Sequence, residues 1–372
     1  MQINVPKKEG SNERRKNKMI FQFIGLGAAG NKAAVDLVKA GVAKAEDVIL
    51  INSTDKDFVN CDGIENKVIL NPNNAGCGKE RKVARVYAET ATKNESIKIK
   101  DGVTNIVLVT SVEGGTGSGA TPTIASWLKS KNITVHICAF IGFEDDVRGL
   151  QNTVEFFQEI SKFEADIMTI RNASFNEEAY NNKFKAEELA NQEFVKRTRI
   201  LTGQDLIVSD QNIDDTDILK VVSTAGYKTI EEIRFNDILT DQEQFNKLCR
   251  SMIYNSHSLK SENPGQIRLG VILNIRPESE DSVDYSFKVF KEAYGMPFEM
   301  FFHKQYDGKP QQYIQFISSG MKLPLEEVTK VYNRYKEETK RVDKSSDAFA
   351  NAVDAFEMDD IDSMFDMINT PK

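Results

Sequence analysis

Along the first half of the chain, continuous apolar runs alternate with glycine-marked turns and amphipathic stretches. Residues 19–41, MIFQFIGLGAAGNKAAVDLVKAG, begin apolar and meet a glycine cluster. They continue with Ala33, Ala34, Leu37 and Val38 at helical spacing, which predicts strand, tight turn and helix. DVILINSTDKDF (47–58) gives a second strand ending in Asn, Ser, Thr and Asp, and KVIL (67–70) a short third. NIVLVTSVEGGTGSGATPTIASWLKS (105–130) is a fourth that again runs through glycines into a helix, and ITVHICAFIGF (133–143) is a fifth. The loop FEDDVRG and the helix LQNTVEFFQEISKF follow, and ADIMTIRNASF predicts a sixth strand ending at Asn172. Uninterrupted apolar strands alternating with helices point to an α/β fold whose mostly parallel sheet is covered on both faces.

A helical pattern then occupies about 185–211, carried by Ala186, Leu189, Ala190, Phe194, Leu201 and Ile207 and interrupted by Arg197 and Gly203. A long helix joining two halves is expected there. DILKVVSTAGYKTIEEIRF starts a second unit, and RLGVILNI and QQYIQFISSG are expected as strands of a later sheet. In PLEEVTKVYNRYKEETKRVD, Pro324 suits a first helical turn, Glu326 and Glu327 face its positive end, and Lys336, Lys340 and Arg341 lie near its negative end. Its apolar stripe is Leu325, Val328, Tyr332 and Tyr335.

Composition narrows the class. Of 372 residues 40% are hydrophobic, enough for one large or two medium domains. Cys61, Cys77, Cys138 and Cys249 form no CxxC pair, so no disulfide framework or zinc knuckle is expected, and a reducing, cytoplasmic compartment fits best. The polar N-terminus has no apolar leader core, and no stretch approaches the roughly 20 apolar residues that span a bilayer. The net charge of −8 argues against a surface that grips nucleic acid throughout, but the ends differ. Residues 1–18 carry six basic side chains against two acidic ones, whereas residues 342–372 carry eight acidic side chains against Lys344 and Lys372. The arm reads as a solvated tail, or as a contact to a neighbouring subunit or DNA phosphates. The acidic tail interleaves its charges with Phe349, Val353, Phe356, Ile361, Phe365 and Ile368, as a docking segment would.

Both glycine clusters follow a strand and open a helix, where unpaired backbone N–H groups and the helix dipole favour an anion. The first, Gly25, Gly27, Ala28, Ala29, Gly30 and Asn31, also satisfies GxGxxG and cannot by itself separate a dinucleotide-binding dehydrogenase from another nucleotide fold. The second, Glu113 through Ala120, interleaves Gly114, Gly115, Gly117 and Gly119 with Thr116 and Ser118. That many glycines carry a conformational cost that makes sense where something approaches the main chain closely. Further on, Asn212, Asp214 and Asp217 form an NxDxxD pattern. Two carboxylates three apart at a helix start could orient or polarise a water, and beside a triphosphate they would need Mg²⁺ to screen them. A plain acidic first turn would look the same.

Taken together these motifs resemble the tubulin/FtsZ superfamily of polymerising GTPases, whose signature loop matches EGGTGSGA at 113–120. The resemblance runs in order over about 19–340. It implies that the first glycine cluster with Asn31 is a phosphate loop and that Asn52 to Asp55 form the next nucleotide loop. It also implies that Glu144 and Arg148 contact the sugar, that Asn172 and Asn191 contact guanine, and that Asn212, Asp214 and Asp217 are catalytic. GCGKERK with Gly76 and Gly78, and GGTGSGATP, look most like the TubZ branch of plasmid and phage tubulins. Glu113 departs from the signature and should point away from the phosphates or toward a metal. The domains implied are a basic arm (1–18), a GTP-binding domain (19–184), a central helix (185–211), an activation domain (212–322), a C-terminal helix (323–341) and an acidic tail (342–372).

The function so implied is GTP binding with Mg²⁺, head-to-tail assembly, and hydrolysis of GTP to GDP at subunit contacts. The task would be segregating or positioning plasmid or phage DNA in a bacterial cytoplasm, through a small DNA-binding adaptor rather than direct sequence-specific DNA binding, and without a membrane. The alternatives are a phage spindle-type tubulin without an adaptor and an NAD-dependent oxidoreductase of Rossmann type using the first glycine cluster. His136 reads as a core residue, and His257 and His303 lack partners at metal or triad spacing.

Overall fold

A computed structural model of the chain describes residues 19–59, 61–163, 166–206, 215–262 and 264–343. The basic arm, Asn212, Asp214 and the tail beyond 343 lie outside the described residues. The elements in chain order are β1 (Phe21–Leu26), α1 (Gly27–Lys39), β2 (Val48–Asn52), β3 (Lys67–Ile69), α2 (Arg81–Lys93), β4 (Asn105–Ser111), α3 (Thr116–Ser130) and β5 (Thr134–Ile141). There follow α4 (Val147–Ile160), β6 (Asp166–Arg171), α5 (Lys183–Leu201), α6 (Asp215–Val222), β7 (Gly226–Phe235), α7 (Gln242–Tyr254) and β8 (Arg268–Asn274). The last are α8 (Lys288–Tyr294), β9 (Glu299–Gln305), β10 (Gln312–Met321) and α9 (Leu325–Asp343).

The ten strands of the described residues join one sheet in the order β3-β2-β1-β4-β5-β6-β7-β10-β8-β9. Pairing is parallel from β3 to β7, and β10 runs antiparallel to both β7 and β8. Strand direction sorts the core. In β4, Val107 and Val109 face α1 and α5 together with Leu37, Phe140 and Phe194, while Ile106 and Leu108 face the opposite layer with Ile124, Leu128, Phe156 and Phe157. Both sets are buried, which is why the strands read as unbroken apolar runs.

Three expectations are corrected. The strands of the C-terminal half continue the first sheet instead of forming a later one, through the short pairing of Asp166 with Gly226 and Ile167 with Tyr227. The sixth strand stops at Arg171, and Asn172 opens a 3-10 turn (Asn172–Phe175). The helix expected over 185–211 spans Lys183–Leu201. Gly203 ends it, at φ +69 with its N–H on Ile200 O, because glycine reaches the left-handed region without a Cβ clash.

Arg197 does not interrupt that helix. It is fully buried and donates to Glu193 (2.7 Å), Glu231 (2.8 Å), Thr169 O (2.9 Å) and Ser258 (2.8 Å), so one side chain ties α5 to β6, β7 and the 256–258 loop. The apolar stripe of α9 turns back on α4, where Val331 and Tyr332 meet Leu150 and Val154. Among the described residues no helix is long and apolar enough to cross a membrane.

Candidate functional site

In the strand order, β1 lies between β2 and β4, so consecutive connections leave toward opposite sides there. The carboxyl ends of strands beside such a switch are where open α/β sheets bind ligands. The two glycine clusters stand at the ends of β1 and β4 and begin α1 and α3. Neither helix has a side-chain cap or an acidic residue in its first turn, whereas α4, α5 and α7 are capped by Asp146, Asn182 and Asp241. The leading N–H groups of α1 and α3 are thus left for an external acceptor, at the positive ends of their dipoles.

Most of the glycines serve the packing of these two turns. Gly27 lies at φ +74, and a Cβ on it would come 3.0 Å from the backbone N of Gly117. One on Gly117 would lie 2.6 Å from Leu26 O, and one on Gly30 only 2.1 Å from Val109 O. Gly25 is closed off by Asn31. Gly115 and Gly119 lie under the 79–81 backbone, at 2.6 and 2.3 Å from Lys79 C and Arg81 O by the same measure. A Cβ on Gly114 would meet nothing within 4 Å. The signature loop is therefore closed on three sides by protein and open at Gly114.

The other site residues fall into distinct roles. Buried Asn31 exchanges two 3.2 Å hydrogen bonds with the backbone of Ile51 and so fixes α1 to β2. Asn52 donates to Asp57 (2.8 Å), and Ser53 Oγ lies 3.0 Å from Thr116 Oγ1, which joins the turn after β2 to the start of α3. The Asp55 backbone N–H donates to Asn74, leaving its side chain exposed. Ala28 and Ala29 are exposed in the first turn of α1, and Ser118 folds back on Gly114 O. Gly76 and Gly78 line an open stretch, with Gly78 at φ +56.

Arg148 is held by Glu80 (2.6 Å), while Glu144, at φ +56, is held by Arg334 of α9 (2.9 Å). Asn191 donates to Asp36 on α1 (2.9 Å). Among the described residues Asn172 Oδ1 is buried with no hydrogen-bond partner, an acceptor that a base N–H would satisfy. Asp217 sits in the first turn of α6, 3.2 Å from Lys220.

Glu113 turns toward the 142–144 segment. Its carboxylate accepts the Glu144 N–H (3.0 Å) and fills the space a Cβ on Gly142 would need. Burial pushes its pKa up against that hydrogen bond. At Asp146 burial acts upward too, but Lys79 and the Gly149 N–H outweigh it and hold the carboxyl below its usual range.

Three further residues of this region were not legible as such in the sequence. Asn152, buried on α4, donates to the carbonyls of Glu113 (2.9 Å) and Lys79 (3.1 Å). Arg81, also buried, donates to Ser118 O (3.1 Å) and pairs with Glu155 and Glu159. Phe184 stands 77% exposed in the first turn of α5, an apolar ring left in water on the helix that packs against the Asn172 turn. Its isolation at a helix start was the available signal for that one. The other two act on partners roughly 40 to 80 positions away, beyond any local pattern.

Comparison with known proteins bears on the same region. Residues 21–179 match the family model described as Tubulin/FtsZ family, GTPase domain, which takes in both glycine clusters. The tubulin-like protein TubZ of Clostridium botulinum C phage is 26% identical over 273 residues, covering 66% of this chain and 73% of that protein. CetZ1 from Haloferax volcanii, solved as a GDP-bound monomer, superposes with a TM-score of 0.68 at 19% identity, over 86% of this chain and 100% of that one. A GTPγS-form protofilament of Bacillus thuringiensis serovar israelensis TubZ gives 0.71 at 14% identity, over 88% and 94%.

Proposed function

We propose that this protein, whose residues 21–179 match the Tubulin/FtsZ family GTPase domain model and whose fold is tubulin-like, binds GTP between the two uncapped helix N-termini, assembles head to tail, and hydrolyses GTP where one subunit meets the next. The observation that carries the reading is the junction of Gly27 with Gly117, which brings two positive helix ends to one place and leaves Gly114 open beside them. The phosphates lie against the N–H groups of α1 and α3, Thr116 and Ser53 supply hydroxyls, and Asn172 Oδ1 accepts from the guanine edge. Phe184 offers a ring for the base to lie on. Glu144 and Arg148 stay available to the sugar by exchanging their present ion pairs.

Among the described residues no three His, Cys, Asp or Glu side chains gather to hold a metal. Mg²⁺ would accordingly come with the triphosphate beside Thr116 and Ser53 and supply charge screening. Asp217, with Asn212 and Asp214 before it, is offered to the nucleotide of the next subunit, where its carboxylate orients and polarises the attacking water. Support for assembly comes from the fold shared with a TubZ solved as a protofilament. The likeness to a phage TubZ supports a task in segregating or positioning plasmid or phage DNA in a bacterial cytoplasm, with a small DNA-binding adaptor as partner.

Sedimentation with GTP, GDP or no nucleotide tests this reading. Pelleting with GTP and not with GDP is expected, and Asp217→Ala filaments should form and persist because turnover is lost. Equal pelleting in all three conditions would refute it.

A further inference from the structure

Asp217 can act only if α6 is held still, and α6 is a helix of eight residues. Such a helix is about 12 Å long and Asp217 lies about 7.5 Å from its C-terminal end, so a tilt of roughly 8° about that end carries Asp217 about 1 Å. A displacement of that size costs on the order of 10²-fold in turnover when the moved group takes part in the chemistry. What anchors the C-terminal end therefore matters.

Two links anchor it. Lys228 on β7 is 1% exposed, and its ammonium donates to Val222 O, the last carbonyl of α6, and to Asp166 Oδ2 at the start of β6. Asp166 also engages His136 Nδ1 on β5, and His136 Nε2 lies 3.1 Å from Asn105 Oδ1 on β4. The second link runs through Thr224, whose hydroxyl donates to Lys220 O (2.5 Å) and accepts from Arg268 Nη1 (2.8 Å). Arg268 is itself held by Glu299 at 2.6 Å. Beneath the helix the sheet leaves no slack, since a Cβ on Gly270 would come 3.3 Å from Val221.

A lysine is almost never buried this deeply without partners, and apolar residues that replace a buried ion pair as a whole often give equal or greater stability. What the ammonium supplies is direction. It points at the negative end of α6 and at a strand of the nucleotide-binding half at once, across the seam where β6 and β7 share only two register pairs.

We propose that Lys228, assisted by Thr224, is a positioning residue for GTP hydrolysis: it fixes the helix that presents Asp217 relative to the body of its own subunit and so to the surface that subunit offers its neighbour. This rests on the reading of Asp217 given above.

The test uses the full chain with Lys228→Met, Lys228→Arg, Thr224→Val and Asp217→Ala. GTP affinity is measured on dilute protein, and turnover is measured per subunit at saturating protein concentration. Lys228→Met is expected to bind GTP within twofold of wild type, to keep its KM, and to lose tenfold or more in kcat. Thr224→Val is expected to lose three- to tenfold in kcat, and Lys228→Arg to recover part of the loss because it keeps donors for both acceptors. If Lys228→Met fails to fold, Thr224→Val decides. Wild-type turnover in both Lys228→Met and Thr224→Val, with Asp217→Ala inactive, would overturn the proposal. A loss of GTP affinity as large as the loss of kcat would also overturn it, as a merely structural role. Normal turnover in Asp217→Ala would instead remove the reading beneath it, and the proposal would fall for that separate reason.

Discussion

Gly114 allows the phosphate reading to be separated from the packing reading by a single methyl group. A Cβ there has no neighbour within 4 Å, and the residue is not in the left-handed region. Gly114→Ala should leave the nucleotide-free protein unchanged or more stable by about 0.4–1 kcal/mol, through the restricted unfolded chain. If a phosphate approaches this backbone, the same methyl displaces it and a hydrogen bond to a charged group is lost, worth roughly 1.5–3 kcal/mol. That corresponds to a fall in GTP affinity of about 10- to 150-fold.

Gly117→Ala provides the contrast. Its Cβ would lie 2.6 Å from Leu26 O and 2.4 Å from Thr110 Oγ1, so an overpacking cost of about 1–3 kcal/mol should appear without any ligand. Unfolding midpoints of the nucleotide-free proteins and calorimetric titration with GTP measure both quantities. A Gly114→Ala protein of normal stability that binds GTP within twofold of wild type would refute the phosphate placement.

Further outcomes are expected elsewhere. Asn172→Leu removes a buried acceptor that has no partner, so it should not destabilise the nucleotide-free protein, yet it should erase a preference for GTP over ATP. Equal retention of the two nucleotides by the wild type in a filter assay would contradict the guanine assignment. His257 stacks on Phe175 at 3.7 Å and bonds Ser174, and burial pushes its pKa down to about 4. Because the unfolded chain then binds a proton the folded protein refuses, stability should fall as pH drops from about 6.5 towards 4. Denaturation of His257→Gln should show a smaller loss over that window, and an identical pH profile would count against the assignment. Truncation after Arg341 should raise the critical concentration for assembly if the acidic tail docks on the next subunit. An unchanged critical concentration and unchanged adaptor binding would remove that role.

Much of the site was legible because its signals are local. A glycine cluster between an apolar run and a helical pattern marks a strand-to-helix turn wherever it occurs, and both clusters stand at such turns in the structure. The sequence did not show that Gly115 and Gly119 answer to the 79–81 backbone, roughly 35 residues away, or Gly117 to the end of β1 at Leu26. Nor did it show that Asn31 is taken up by β2 and Asn191 by Asp36, because an amide's partner depends on packing across layers. Arg197 looked like a flaw in a helix pattern for the same reason: its four partners come from four separate segments. The continuity of the sheet depends on two register pairs between β6 and β7, too few to leave a periodicity. The end of α5 was overestimated because Ile207 continued an apolar spacing that Gly203 had already ended.

On the function proposed above, the hydrolytic site is complete only between subunits. GTP turnover per subunit, measured across a dilution series spanning the onset of pelleting, tests it most directly. Turnover should be near zero in the dilute protein, rise with the appearance of filaments, and reach a plateau once nearly all subunits have neighbours. Turnover per subunit that stays constant from dilute monomer to concentrated protein would contradict it.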